Sequence, residues 1–138
     1  MRLEFFLQGK VRGKERPRFA KGGYAYTPNN TREYEEKVKN AYRLHFGDTK
    51  IQGNVPLKLE LEIGMLIPKS RPTKEKEMLL QNKYAVKKPD IDNIEKIVTD
   101  ALNEVAYEDD VQICVVIKSR YWVLTESEEG VKIIIEVI

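Results

Sequence analysis

The stretch LKLELEIGMLI, residues 57–67, decides the fold. Leu57, Leu59, Leu61, Ile63, Met65 and Ile67 occupy successive odd positions, with Lys58, Glu60 and Glu62 between the first of them. Side chains of an extended chain alternate between two faces, so this is a strand with one face in a core and one in water. Pro68 follows and ends it, because proline lacks the N–H that a ladder needs. A half-buried strand of this kind requires partners, and the chain offers them on both sides. Leu3, Phe5, Leu7, Gly9 and Val11 alternate in the same way near the start, Val111 to Leu124 reads as a long strand, and Gly130 opens a last one through Val131, Ile133, Ile135 and Val137.

Helical periodicity lies between these strands. Tyr34, Val38, Ala41, Tyr42 and His45 or Phe46 form one apolar stripe, with Thr31 placed as its cap before Glu33, Glu35 and Glu36, and Gly47 as its end. Ile94, Ile97, Val98, Ala101, Leu102 and Val105 form a second, continuous stripe on a helix expected to start at Asp92, where Asp92 and Glu95 have capping-box spacing. Pro72 to about Gln81 reads as a short basic helix, and Gly13 to Asn30 as a long loop. Strands precede, separate and follow the helices. The expectation is one α+β domain over residues 1–138, a mixed or antiparallel sheet packed with two or three helices and closed by an antiparallel hairpin across ESEEG.

A chain of 138 residues has room for one such core and not for two comfortable ones. Its net charge of +2 hides an uneven distribution. Residues 10–21 carry six cations against Glu15, residues 68–88 carry seven against Glu75 and Glu77, and the tail from Tyr121 is acidic. Two basic segments on a near-neutral chain predict an anion-binding face. Lys14, Arg16, Arg18, Lys69, Arg71, Lys87 and Lys88 are the candidate phosphate contacts. Phe19, Tyr24 and Tyr26 interleave the Gly13 to Asn30 loop, either as base-stacking groups or as a small cluster packed under the loop. Cys114 is the one cysteine, read as a small core residue, and zinc chemistry is excluded for want of ligands. His45 and Trp122 are read as packing residues. No secretory signal and no apolar run of membrane-spanning length is present, so a cytoplasmic protein is expected.

The acids gather around the second helix in KKPDIDNIEKIVTDALNEVAYEDDVQI, residues 87–113. Asp92, Lys96 and Asp100 form a row on its polar side, each a turn from the next. Asp90 stands two residues earlier, and Asp109 and Asp110 follow the helix. Taken singly these are caps, an i,i+4 ion pair and a turn. Taken together, carboxylates without evident counter-charges predict a Mg²⁺ site, since Mg²⁺ takes oxygen ligands, retains waters and serves phosphodiester hydrolysis.

These residues resemble the RusA family of endodeoxyribonucleases, Holliday junction resolvases common in bacteria and prophages. KPDIDN (88–93), Lys96, DALN (100–103) and YEDDVQI (107–113) stand in the family's order, and KERPRF (14–19), YTP (26–28) and IPKSRP (67–72) are similar to its basic segments. The resemblance implies a homodimeric, Mg²⁺-dependent nuclease that nicks a four-way DNA junction symmetrically in recombination and repair. It further implies Asp90, Asp92 and Asp110 as metal ligands and catalytic residues, with Lys96 as the catalytic lysine; the choice between Asp109 and Asp110 stays open. The alternatives are a nuclease for other branched DNA such as flaps and forks, and a DNA-binding protein without catalysis.

Overall fold

The computed structural model describes residues 1–138. Three strands carry the expected alternation: β1 (Arg2–Gln8), β4 (Leu57–Leu66) and β6 (Gly130–Val137). With β5 (Ile113–Val123) they form one sheet in the order β1-β6-β4-β5. β6 is antiparallel to both β1 and β4, whereas β4 and β5 run parallel. Leu3, Phe5, Leu7, the odd residues of β4 from Leu57 to Met65, and Val131, Ile133 and Ile135 all point into one core. Each fully buried aliphatic side chain of this set contributes about 1.5–3 kcal/mol relative to exposure. The mixed α+β sheet is as expected.

The expected β5–β6 hairpin is corrected. β6 pairs with β1 and β4, and β5 lies on the far side of β4. Residues 124–129 therefore cross the end of β4 instead of making a tight turn. Gly64 permits the crossing: a Cβ there would stand 2.6 Å from the Glu128 carbonyl oxygen. Parallel pairing of β4 with β5 requires a long crossover, and everything from Pro68 to Gln112 lies within it.

Helix α1 (Asn29–Phe46) and helix α3 (Ile91–Leu102) cover the core face of the sheet. Both start earlier than expected. Thr31 does not cap α1, because the helix begins at Asn29 after Pro28, and Thr31 is the first buried residue of the stripe that continues through Tyr34, Val38 and Tyr42. Gly47 ends it as expected. Asp92 does not start α3, whose N-cap is Asp90, and no capping box forms with Glu95. Ile94, Ile97, Val98, Ala101 and Leu102 are all fully buried, as their spacing predicts. Helix α2 (Thr73–Asn82) buries none of its residues. The long loop contains a two-residue ladder, β2 (Arg18–Phe19) with β3 (Ala25–Tyr26). Cys114 is exposed on β5 and is not a core residue, while Trp122 packs against the core as expected.

The crossing at Gly64 makes a direct prediction. Gly64→Ala forces the 124–129 turn away from β4, and urea denaturation should show a loss of about 1–3 kcal/mol. Unchanged stability would mean that the turn is not held at that distance.

Candidate active site

Helix α3 carries acids at both of its ends. At the N-terminal end, Asp90 closes the first turn with its backbone carbonyl, accepting from Asn93 N at 3.0 Å and Ile94 N at 3.1 Å. Its carboxylate makes no capping bond. Asp92, the second residue of the helix, is held by a residue that sequence reasoning missed. Lys118 Nζ donates to Asp92 Oδ1 at 2.5 Å and to Glu95 Oε1 at 2.7 Å. The Lys118 bond, and then its charge, hold the Asp92 carboxyl below its usual range. Arg120, two residues on, donates through Nε to the Ala85 carbonyl at 2.9 Å and through its guanidinium to the Pro89 carbonyl. Lys118 and Arg120 pair in register with Leu61 and Ile63 of β4. They therefore face the helix side of an edge strand, where their charges find partners on and before α3. Two cations at alternate positions within an apolar strand were the available signal.

At the C-terminal end a second network presents Asp110. Asn103 Oδ1 accepts from Asp110 N at 3.0 Å, and Asp109 caps a short 3₁₀ turn, Asp110–Gln112. Gln112 is buried and satisfies three backbone groups at once: it accepts from Asp109 N and donates to the carbonyls of Gly53 and Val55. Tyr107, also buried, donates its hydroxyl to Thr99 O at 2.8 Å. Thus Asn103, Tyr107, Asp109 and Gln112 position, and Asp110 is what they present. Burial, a hydrogen bond shared with Asp109, and the charges of Asp109 and Asp100 raise the Asp110 carboxyl above its usual range. The Tyr107 phenol is raised too, by burial first and then by the charges of Asp110, Asp100 and Asp109.

This geometry does not bring Asp90, Asp92 and Asp110 together. No three acidic, histidine or cysteine side chains meet closely enough to hold an ion. The reason is the helix itself: Asp92 and Asp100 are eight residues apart, about 12 Å of rise, and Asp110 sits with Asp100. Lys96 lies midway along this row and is exposed. Its expected partner Asp100 bonds Lys14 instead, at 3.2 Å. In donor chemistry the place suited to a hard cation is the Asp109–Asp110 pair, where two carboxylates are pressed together; two such groups with waters suffice for Mg²⁺.

Beside the first end of α3 runs a groove of about 690 Å³, walled by Lys10, Arg12, Lys14, Lys87, Lys88, Asp90 and Asn93. The segment 10–15 is strapped to the helix. Lys14 N donates to Asn93 O at 2.8 Å, and a Cβ on Gly13 would stand 2.8 Å from Pro89 Cβ. Lys14 Nζ bridges Glu35 at 2.9 Å and Asp100, joining the strap to both helices. Burial lowers its pKa, but these two carboxylates outweigh that and the net shift is upward. Among the other candidate cations, Arg18 lies 3.7 Å from Glu15, Lys69 bonds Glu126 at 2.8 Å and Arg71 reaches Glu75 at 3.4 Å. Lys87 and Lys88 are exposed on the groove wall, and Arg16 is exposed beyond it. Lys10 and Arg12 were not among the candidates and join them here.

A sequence model of the family described as "Endodeoxyribonuclease RusA" matches residues 8–136. The chain is also 27% identical over 126 residues to "Uncharacterized protein YqaN" of Bacillus subtilis (strain 168), with 87% of each chain covered. The protein belongs to the RusA endodeoxyribonuclease family.

Two predictions follow from the charges. The folded Asp110 holds its proton more tightly than an unfolded carboxyl, so its contribution to stability is present at low pH and lost as pH rises through its raised pKa. Asp110→Asn removes that loss and should raise the melting temperature by roughly 1–4 °C at neutral pH, the gain vanishing below the unfolded carboxyl's pKa, by about pH 3. Melts followed by circular dichroism at both pH values check this, and no gain at neutral pH would refute the crowding. Separately, Lys87→Ala with Lys88→Ala should make the salt dependence of DNA binding shallower by about 2 in log–log slope. Anisotropy titrations at several salt concentrations measure that slope, and an unaltered value would take both lysines off the phosphates.

Proposed function

We propose that this member of the RusA endodeoxyribonuclease family resolves four-way DNA junctions by paired, Mg²⁺-dependent phosphodiester hydrolysis, in recombination and repair. The observation that carries the reading is the placing of unpaired chemistry beside a basic groove. Of the charged groups along α3, Asp92 and Asp100 have cationic partners, whereas Asp90, Lys96 and Asp110 do not. Asp90 and the phosphate-binding cations of segments 10–15 and 87–88 share one groove.

In this reading the DNA backbone lies across the lysines of the groove, which contact phosphates without reading bases, as selection for shape requires. Lys96, exposed at the middle of the polar row, presents an ammonium to the scissile phosphate and offsets charge developing there. Asp110, with Asp109 beside it, would hold the ion, with Asp90 and Asp92 as the remaining acids of the reaction. The ion, when bound, relieves charge on phosphoryl oxygens and lowers the pKa of a water. A ligand role for Asp92 requires it to leave Lys118.

A homodimer fits a substrate with two-fold symmetry. What supports it here is the edge of β5. Segment 83–85 pairs with the second half of that edge, through Ala85 N to Arg120 O and Trp122 N to Lys83 O. Over the first half Cys114, Val115, Val116 and Ile117 are all exposed, an apolar strand edge of the kind that a second strand covers.

The test is cleavage of a labelled synthetic four-way junction in Mg²⁺ and in EDTA. The expected result is paired nicks on opposing strands with Mg²⁺ only. Asp90→Asn should lower cleavage at least 100-fold while junction binding survives or tightens, because a negative charge facing phosphate is removed. Equal cutting by the variant would remove Asp90 from the chemistry. Preferential cutting of flaps or forks would replace the substrate class, and binding without cutting in any metal would leave only a DNA-binding protein.

A further inference from the structure

The sequence between the groove strap and α1 leaves three aromatic rings in water. Phe19, Tyr24 and Tyr26 are 75%, 65% and 43% exposed. The reading in which they pack together under the loop is therefore set aside. They sit on a small finger: Arg18 pairs with Tyr26 and Phe19 with Ala25, while Ala20 N donates to Tyr24 O at 2.9 Å and Gly23 N to Ala20 O at 3.0 Å. A ladder this short does not hold itself by pairing alone, and none of its residues belongs to the core.

The register sorts the rings between two faces. Residues two apart in a strand share a face, so Tyr24 and Tyr26 lie side by side, their ring centroids 6.5 Å apart. Phe19, whose partner is Ala25, lies on the opposite face. Both limbs of the finger grow out of the groove wall, from Glu15 on one side and Asn30 on the other. The basic residues Arg16, Arg18 and Lys21 punctuate the same segment. Aromatic side chains are commonly the most buried part of a domain. Three of them held outward, on both faces of a cationic projection at the rim of a phosphate-binding groove, need a flat and apolar partner attached to phosphate. Unpaired nucleobases have that chemistry, and a π-face is common to all four, so no sequence preference comes with it.

We infer that the 18–26 finger is a base-stacking wedge: Phe19 on one face and the Tyr24–Tyr26 pair on the other receive unpaired bases at the branch point of the DNA held in the groove. This rests on the DNA-binding reading above and adds to it the group that recognises a branch. Duplex DNA, whose bases are already stacked, gives the finger no partner. Preference for branched over linear DNA thus resides in these three rings, while the lysines of the groove bind both.

The test uses the full chain in EDTA, with 2-aminopurine, whose fluorescence reports stacking, placed at the branch point of a four-way junction and, as control, within a linear duplex. The parent should change the junction signal and not the duplex signal. Phe19→Ala, and Tyr24→Ala with Tyr26→Ala, should each abolish most of that change and weaken junction binding by about 10- to 100-fold with linear DNA binding unaltered. Tyr24→Phe with Tyr26→Phe keeps the π-faces and should behave as the parent. The rings are exposed, so melting temperatures should match. Alanine variants that retain the parent's junction signal and affinity would overturn the wedge while leaving junction cleavage standing. So would an equal loss on junction and duplex. A parent that shows no junction preference at all would overturn both.

Discussion

The rigidity of α3 governs how charge is arranged in this protein. A helix of three turns holds its two ends apart by a distance that no side-chain rotation closes. It is pinned by a fully buried stripe from Ile94 to Leu102 and lies inside the crossover that joins the parallel strands β4 and β5. Because the chain must return to the start of β5 before it can pair with Leu57, residues 109–112 are brought to the C-terminal end of the helix. Lys118 and Arg120, further along β5, are brought to the N-terminal end. The acids are thereby divided into two groups with Lys96 between them.

Each group is stabilised by different means. At the N-terminal end a cation from the sheet neutralises Asp92, and Arg120 fixes the carbonyls of the segment leading to Asp90. At the other end no cation reaches Asp110. The turn is held by neutral hydrogen bonds from Asn103 and Gln112, and these have enough buried support in Tyr107 and the 53–55 backbone to keep like charges together. Carboxylates kept close without a counter-ion cost stability, and the cost is expected where function requires the arrangement. The same motif therefore divides into residues that build the turn and one residue that the turn displays.

The sequence shows most of the sheet and little of its order. Alternation in Leu57–Ile67 and the stripe from Ile94 to Leu102 are strong because burial imposes each period directly. Strand order is invisible to that signal: β5 and β6 read the same whether ESEEG makes a hairpin or crosses over Gly64. Helix starts are ambiguous where several capping residues adjoin. Thr31 has cap chemistry, yet it lies on the buried face, and Asp92 has it, yet Lys118 claims the carboxylate. The acids around α3 are visible in the sequence as a group, but their pairing is not, since it depends on which part of β5 passes which end of α3. Lys118 and Arg120 had a signal in strand parity. The capping role of Asp109 was visible in its spacing to Gln112.

The strap at residues 10–15 gives these separate features mechanical unity. Its backbone is bonded to Asn93, its glycine packs on Pro89, and Lys14 reaches across to Glu35 and Asp100. Glu15 N is bonded to Thr31, the first buried residue of α1. The base of the aromatic finger is therefore anchored to both helices at the point where the phosphate groove passes the start of α3. On the proposed reading, a branch point seated on the finger would fix the register of the DNA against Lys96 and the acids of α3, with a lever only a few residues long. Shape selection and positioning of the scissile phosphate would then follow from one rigid attachment, and the proposed recognition would require no contact with a base edge.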